Sequence, residues 1–207
     1  MNKNYQFNAA RYGTHSLIAR EIRAGARVLD VGCNEGYLKR LAPDAGDFYG
    51  IDSDERSLNE AKRAGYKEVQ ALDLNNFERF VCGEKFNVIV FADILEHLLY
   101  PQKALRFFIE KYLESGGRAI VSLPNVANLA VRANLMFGNF DYTENGILDR
   151  THLHLYTRKT GALLVESCGL EILGVKYSSN RLGAIIEKLP FLGGMLGFNL
   201  IYICRRK

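Results

Sequence analysis

The stretch Val28-Leu29-Asp30-Val31-Gly32-Cys33-Asn34-Glu35-Gly36-Tyr37 decides the fold. Residues 27–31 read as a buried strand, the glycine pair as a tight turn, and residues 37–41 as a helix that stops near Pro43. Glycines at such a junction let the backbone approach a ligand at the carboxyl edge of a sheet. The spacing is Gly32-x-x-x-Gly36. It lacks the last glycine of the dinucleotide pattern G-x-G-x-x-G and the Lys-Ser/Thr ending of a phosphate loop. Asp30 stands before the turn and Glu35 inside it. Their negative charge disfavours a pyrophosphate and suits a cationic or zwitterionic ligand. The bland alternative is a turn with a purely structural job.

The same rhythm continues outward. Residues 47–51, 66–72, 86–91 and 118–123 read as strands. Residues 54–64, capped by Asp54 with Ser57 one turn on, read as a helix, and so do residues 102–114 between Pro101 and Gly116-Gly117. Strand–helix alternation implies right-handed crossovers and a doubly wound sheet. Beyond Pro124 the rhythm breaks, with a helix expected over 126–137. A helix over 160–168 leads through Gly169 to a strand at 170–177, with which a last strand at 200–204 pairs as a closing hairpin. The expected fold class is α/β: a Rossmann-like, doubly wound, seven-stranded sheet, mostly parallel, with an antiparallel C-terminal hairpin strand. One domain covers 1–207, divided into an N-terminal helix or lid (1–24), a cofactor-binding core (25–123), a substrate-side insertion (124–157) and a C-terminal helix and hairpin (158–207).

Composition bounds the function. The chain has 207 residues, 48% hydrophobic and 24% charged, which supports a packed core and excludes a disordered tail protein. Cys33, Cys82, Cys168 and Cys204 form no C-x-x-C pair, so neither a zinc ribbon nor a disulfide framework is indicated and a reducing compartment is expected. No apolar leader stands at the N-terminus, and the longest uncharged run, 189–204, is interrupted by Pro190, Gly193, Gly194 and Gly197. The expectation is a cytoplasmic protein without stable membrane insertion, a monomer or homodimer. Net charge is +4, and residues 151–207 alone hold eight Lys/Arg against three Asp/Glu. The basic residues are scattered, which reads as a solvated face, and no nucleic-acid partner is expected.

A second and a third carboxylate strengthen the ligand reading. Asp52 closes the second strand, where a carboxylate accepts hydrogen bonds from both ribose hydroxyls, and Asp73 closes the third, where one can accept from an exocyclic amino group. Each alone could be a helix cap; together with Asp30 they face one crevice. Over residues 25–123 this series resembles the class I S-adenosylmethionine-dependent methyltransferases. The resemblance implies that Asp30, Gly32, Cys33, Asn34 and Gly36 wrap the methionine part of S-adenosylmethionine, with S-adenosylhomocysteine as the product. It assigns Asp52 and Ser53 to the ribose and Asp73 with Leu74 to adenine. Phe91 and Ala92 open the segment Phe91-Ala92-Asp93-Ile94-Leu95-Glu96-His97, whose backbone is expected along the cofactor. Asn34 departs from the family's middle glycine, but Asn tolerates positive φ best among other residues. Downstream, Ser122-Leu123-Pro124-Asn125-Val126-Ala127-Asn128 and Gly146-Ile147-Leu148-Asp149-Arg150-Thr151-His152-Leu153-His154 resemble a narrower group of bacterial small-molecule methyltransferases, of the type 11/12-like or methionine-pathway-like kind.

The implied reaction is in-line methyl transfer to a small-molecule or carrier- or glycan-linked acceptor, with oxygen the expected atom. Alignment supplies roughly 7–11 kcal/mol in such reactions, and a positioned base about 10²–10⁴-fold. His97 is one base candidate; His152 and His154 are others, alternating on an extended segment so that only one of the two faces a given side. Arg150 is a candidate clamp for an anionic group. The alternative for His97 is packing at a helix start, and for Asp149, Arg150 and His152 pinning of the insertion. Asp93, Glu96 and His97 with His152 form a conceivable divalent-cation set, weaker than a reading with no metal. Tyr5, Phe7 and Tyr12 are lid candidates, against the preferred reading of a helix over 14–23 packing Leu17 and Ile22 on the sheet. The uncharged run 191–198 is expected in the core, with an acceptor-pocket border or a lipid contact as alternatives. Competing functions are an NAD-dependent oxidoreductase or epimerase, disfavoured by the missing glycine, and a non-catalytic cofactor-binding partner protein.

Overall fold

A computed structural model describes residues 9–179 and 182–207. Five strands, β1 (Val28–Val31), β2 (Phe48–Asp52), β3 (Glu68–Ala71), β4 (Phe86–Ala92) and β5 (Leu113–Pro124), run parallel. Two more, β6 (Leu170–Tyr177) and β7 (Asn199–Arg206), complete a seven-stranded sheet of order β3-β2-β1-β4-β5-β7-β6. β7 is antiparallel to both β5 and β6. The expected mostly parallel sheet with an antiparallel C-terminal strand is therefore found.

Helices cover both faces, and the period-2 alternation of strands decides which residues each face receives. Val28, Phe48, Val88, Val90 and Ile120 meet α1 (Thr14–Ala19), α2 (Tyr37–Leu41) and α3 (Glu55–Arg63) through Leu17, Ile18, Leu38, Leu58 and Ala61. Leu29, Val31, Ile89, Phe91 and Val121 meet α4 (Pro101–Tyr112) and α6 (Arg158–Ser167). Phe80, Phe107, Phe108 and Tyr112 pack ring against ring on that side, with centroids 4.9–6.1 Å apart, and the Tyr112 hydroxyl donates to the Phe80 carbonyl. Leu17 and Ile22 are both buried on the sheet, as expected.

Several boundaries differ from the sequence reading. α4 stops at Tyr112 because Leu113 is already a buried strand residue opposite Phe86, and the glycines at 116–117 shape the strand rather than end the helix. β3 begins at Glu68; Tyr66 instead turns inward, hydroxyl to Asp30. α1 ends at Ala19. The helix expected over 126–137 is α5 (Leu129–Met136), capped by the Asn128 side chain, because Asn125 and Asn128 donate to the carbonyls of Gly194, Leu196 and Gly197 instead of entering it. α6 starts two residues early, on a capping box between Thr157 and Thr160. The closing hairpin is no tight turn: α7 (Gly183–Lys188), a single 3-10 turn and α8 (Gly193–Leu196) lie between β6 and β7. The run 191–198 does not fill the core, since Phe191 is 74% exposed. Tyr5 and Phe7 lie outside the described residues; Tyr12 donates to Glu187 of α7.

Candidate active site

The carboxyl ends of β1, β2, β4 and β5 open onto a cavity of about 820 Å³. That volume suits a drug-sized ligand and its partner. Its floor is the glycine turn. Gly32 sits at φ +83° and Asn34 at +47°, so the asparagine does take the left-handed conformation the turn demands. A Cβ on Gly32 would lie 2.9 Å from Cγ1 of Ile94, which leaves backbone facing the cavity. Asp52 holds the turn in place: one carboxylate oxygen accepts from the Asn34 N–H at 2.9 Å, the other from the Asp54 N–H at 3.0 Å. It lines the cavity.

Strand alternation turns Asp30 toward α2 and α3, and it lines the same wall. It is 2% exposed. The Tyr66 hydroxyl donates to its Oδ2 at 2.6 Å, whereas Oδ1 has no hydrogen-bond partner. Burial pushes the Asp30 carboxyl up to about 7, opposed by the Tyr66 hydrogen bond and assisted by the charge of Asp52. Burial likewise raises the Cys33 thiol and the Tyr66 hydroxyl. An orphaned buried carboxylate oxygen in a ligand-sized cavity is the acceptor a cationic ligand needs. A ligand with no hydrogen-bond donor there would leave it unpaired.

The opposite wall comes from the segment after β4 and from the insertion. Asp93 is left-handed at φ +52°. Its side chain accepts from the Ser122 hydroxyl and from Nδ2 of Asn199, tying β4, β5 and β7 together. Beyond it, Glu96 and His97 lie in a short 3-10 turn (Leu95–His97). The Glu96 carbonyl accepts from the N–H groups of Leu153 and His154 at 2.8 and 3.2 Å, and this brings His152 against it. The His97 and His152 rings meet edge to face, centroids 4.8 Å apart. His152 Nε2 is 3.9 Å from a Glu96 carboxylate oxygen, and Glu96 is wholly buried. Burial and the Glu96 charge push the Tyr156 hydroxyl up to about 12.

Of the residues singled out in the sequence, the cavity gathers Asp30, Gly32, Cys33, Asn34, Asp52 and Ala92 as well as His97 and His152. Others lie elsewhere. Gly36, at φ +76°, lets α2 start against α3, since a Cβ there would be 2.9 Å from the Ala61 Cα. Ser53 is exposed, and Leu74 and Phe91 are buried in the core. Asp73 caps the 3-10 helix Leu74–Arg79, its oxygens taken by Asn75 and Asn76. Arg150 is an exterior residue paired with Glu144 at 3.0 Å, so the anion clamp has no geometric basis. Asp149 does pin the insertion, accepting from the Thr151 N–H and hydroxyl. Sequence reasoning missed His15, Ser178 and Asn199 as cavity residues. They come from both ends of the chain and carry no local pattern. Phe198 borders the cavity, matching the pocket-border alternative for its run.

A methyltransferase-domain profile matches residues 3–175. The chain belongs to that family. Its match and its fold bear out the expectation of a class I S-adenosylmethionine-dependent methyltransferase, an enzyme class whose cofactor is S-adenosylmethionine. Among curated relatives, the ubiquinone biosynthesis O-methyltransferase of Bordetella avium is 33% identical over 88 residues, 40% of this chain and 36% of that protein. The enzyme of the same name from Azoarcus sp. is 27% identical over 162 residues, 71% of this chain and 68% of that protein. The first of these alignments thus spans little more than a third of the relative's length. The N-methyltransferase NodS of Bradyrhizobium japonicum, solved with S-adenosyl-L-homocysteine, superposes with a TM-score of 0.61 at 19% identity, over 93% of this chain and 85% of that one. This likeness is one of fold. No helix among the described residues is long and apolar enough to cross a membrane.

Proposed function

We propose that this methyltransferase domain, acting as one unit over residues 1–207, moves a methyl group from S-adenosylmethionine to an oxygen of a small-molecule or carrier-linked acceptor. The observation that carries the reading is the single cavity that joins a cation-seeking floor to an imidazole wall. On the floor, Asp30 would face the cationic amino-acid part, the backbone at Gly32 would pack against it, and Asp52 would take the ribose hydroxyls with the lone pairs left over from Asn34 and Asp54. When bound, the sulfonium supplies an activated methyl group. Across the cavity, His97, His152 and Glu96 give the acceptor oxygen its place and the wall at which its proton leaves. Oxygen fits because an alcohol or phenol must lose a proton on methylation, and a wall of two imidazoles and a carboxylate can help it do so. The curated relatives' O-methyltransferase names agree. The four free cysteines support a reducing, cytoplasmic setting.

Isothermal titration with S-adenosylhomocysteine tests the floor, and a panel of hydroxylated acceptors with labelled methyl donor tests the wall. Saturable micromolar binding with a raised melting temperature is expected. The absence of both binding heat and a shift in melting temperature would reject the reading.

A further inference from the structure

We infer that Asp30 and Tyr66 form a proton-holding pair: the empty cavity keeps one proton on Asp30, and a cationic group entering the cavity drives that proton out to water. This rests on the cofactor reading above, in which S-adenosylmethionine brings the cationic group, and it makes Tyr66 a positioning residue that acts through Asp30.

Tyr66 is built into its place. It stands just before β3, buried, with its ring 5.2 Å from that of Phe48. Two glycines make the slot for the ring. A Cβ on Gly36 would lie 2.8 Å from Cε2 of Tyr66, and one on Gly50, the β2 neighbour of Asp30, 2.9 Å from Cδ1. So held, the hydroxyl donates to Oδ2 of Asp30 at 2.6 Å. Burial and the Asp30 charge raise that hydroxyl well above its ordinary value, so it remains a donor.

The rest of the surroundings gives Asp30 no counter-charge. Its Oδ1 has no hydrogen-bond partner, and its other strand neighbour is Val90. The turn contributes the Cys33 thiol, which burial keeps protonated. The end of β2 contributes Asp52, whose charge opposes ionisation of Asp30. On α2, Lys39 donates from Nζ to the carbonyls of Ala45 and Gly46, and the Tyr37 hydroxyl is bonded to Glu35. From α1 comes His15, edge to face with Tyr37 at 5.8 Å and lowered by burial, hence neutral at pH 7. α3 presents Leu58 and Ala61. A carboxyl buried beside another carboxylate, without a cation, keeps its proton. Asp30 lines the cavity, so a cationic group there replaces the proton as compensating charge. The exchange balances: the ligand's ammonium arrives, the O–H bond of Asp30 breaks, and one proton leaves for water. The loaded state then holds one proton fewer than the empty one, so affinity rises with pH up to about 7 and is level above it.

The test uses the full chain and S-adenosylhomocysteine, whose ammonium is the cationic group. Isothermal titration from pH 5.5 to 8.5, in paired buffers of different ionisation enthalpy, reads affinity and protons exchanged. The wild type should release about one proton at pH 6 and almost none at pH 8, and bind roughly tenfold more weakly at pH 6. Asp30→Asn should abolish the release and bring the two affinities within about threefold of each other. A proton belonging to the ligand, or to Asp93, Glu96, His97, Asp149 or His152 elsewhere in the cavity, would survive that substitution. Tyr66→Phe removes a hydrogen bond that favours the charged form, so its half-affinity pH should move up by about half a unit or more. Equal wild-type affinities without proton release overturn the pair, and so does release that persists in Asp30→Asn. Where Asp30→Asn does not fold or binds too weakly to read, Tyr66→Phe decides, and an unmoved or lowered half-affinity pH overturns the proposal. Failure of S-adenosylhomocysteine to bind at any pH rejects the cofactor reading instead. The proton on Asp30 is then read from the infrared carbonyl stretch of a protonated carboxyl in the ligand-free chain. A band absent at pH 6, or one whose titration Tyr66→Phe leaves in place, overturns the pair.

Discussion

Asp30→Asn should reverse part of the pH dependence of stability. In the native chain burial lifts the Asp30 carboxyl from 3.8 to about 7, while the unfolded chain releases that proton near the ordinary value. Between these limits the native state binds more protons than the unfolded one, so this group's contribution is fully present below about pH 4 and lost as pH rises toward 7. At 1.36 kcal/mol per pH unit the loss is roughly 4 kcal/mol. The amide of the variant is neutral throughout and keeps an oxygen for the Tyr66 hydroxyl, so it lacks this slope. Urea unfolding of both proteins from pH 4.5 to 8 measures it. With a slope of about 2 kcal/mol/M, the variant's midpoint should gain roughly 2 M on the wild type across that range. Exposed carboxylates lowered by their partners, such as Asp47 beside Lys67 and Glu171 beside Arg205, titrate in both proteins and cancel in the difference. A difference in midpoints that stays flat within about 0.3 M would refute the buried, protonated Asp30.

Other substitutions separate the proposed cofactor floor from its supports. Asp52→Ala removes the acceptor of two loop N–H groups and, in the proposed function, the ribose partner; calorimetry should show S-adenosylhomocysteine affinity falling about 10–100-fold, the scale of one or two hydrogen bonds to a charge. Gly36→Ala combines a left-handed φ with a Cβ 2.9 Å from backbone of α3; it should cost roughly 2–4 kcal/mol, or about 5–15 °C by calorimetric scan. Arg150→Ala breaks only an exposed pair, and both stability, within about 0.5 kcal/mol, and S-adenosylhomocysteine affinity should hold.

The sheet was legible because its strands are short apolar runs punctuated by glycine, and buried parallel strands must look so. The floor of the cavity was legible for the same local reason: Asp30, Gly32, Asn34 and Asp52 lie within one βαβ unit, where spacing in sequence translates into spacing in space. Asp73 was less legible, because a carboxylate at a strand end and one at a helix N-terminus look alike in sequence, and here it caps the 3-10 helix Leu74–Arg79. The opposite wall was half legible. Glu96 and His97 are neighbours in one segment, but the choice of His152 over His154 depends on two backbone hydrogen bonds to the Glu96 carbonyl. Asn199 and His15 reach the cavity only through tertiary packing that no window of sequence contains.

The position of β7 inboard of β6 has a consequence for assembly. β6 is made first yet joins the sheet only through a strand made after it. Until β7 slots in, β5 and β6 each present a naked row of backbone donors and acceptors toward a gap one strand wide. Such half-built rims recruit foreign strands readily. A nascent chain paused between Tyr177 and Asn199 is therefore the form of this protein most prone to clump, and a freed peptide matching β7 would be its natural antidote.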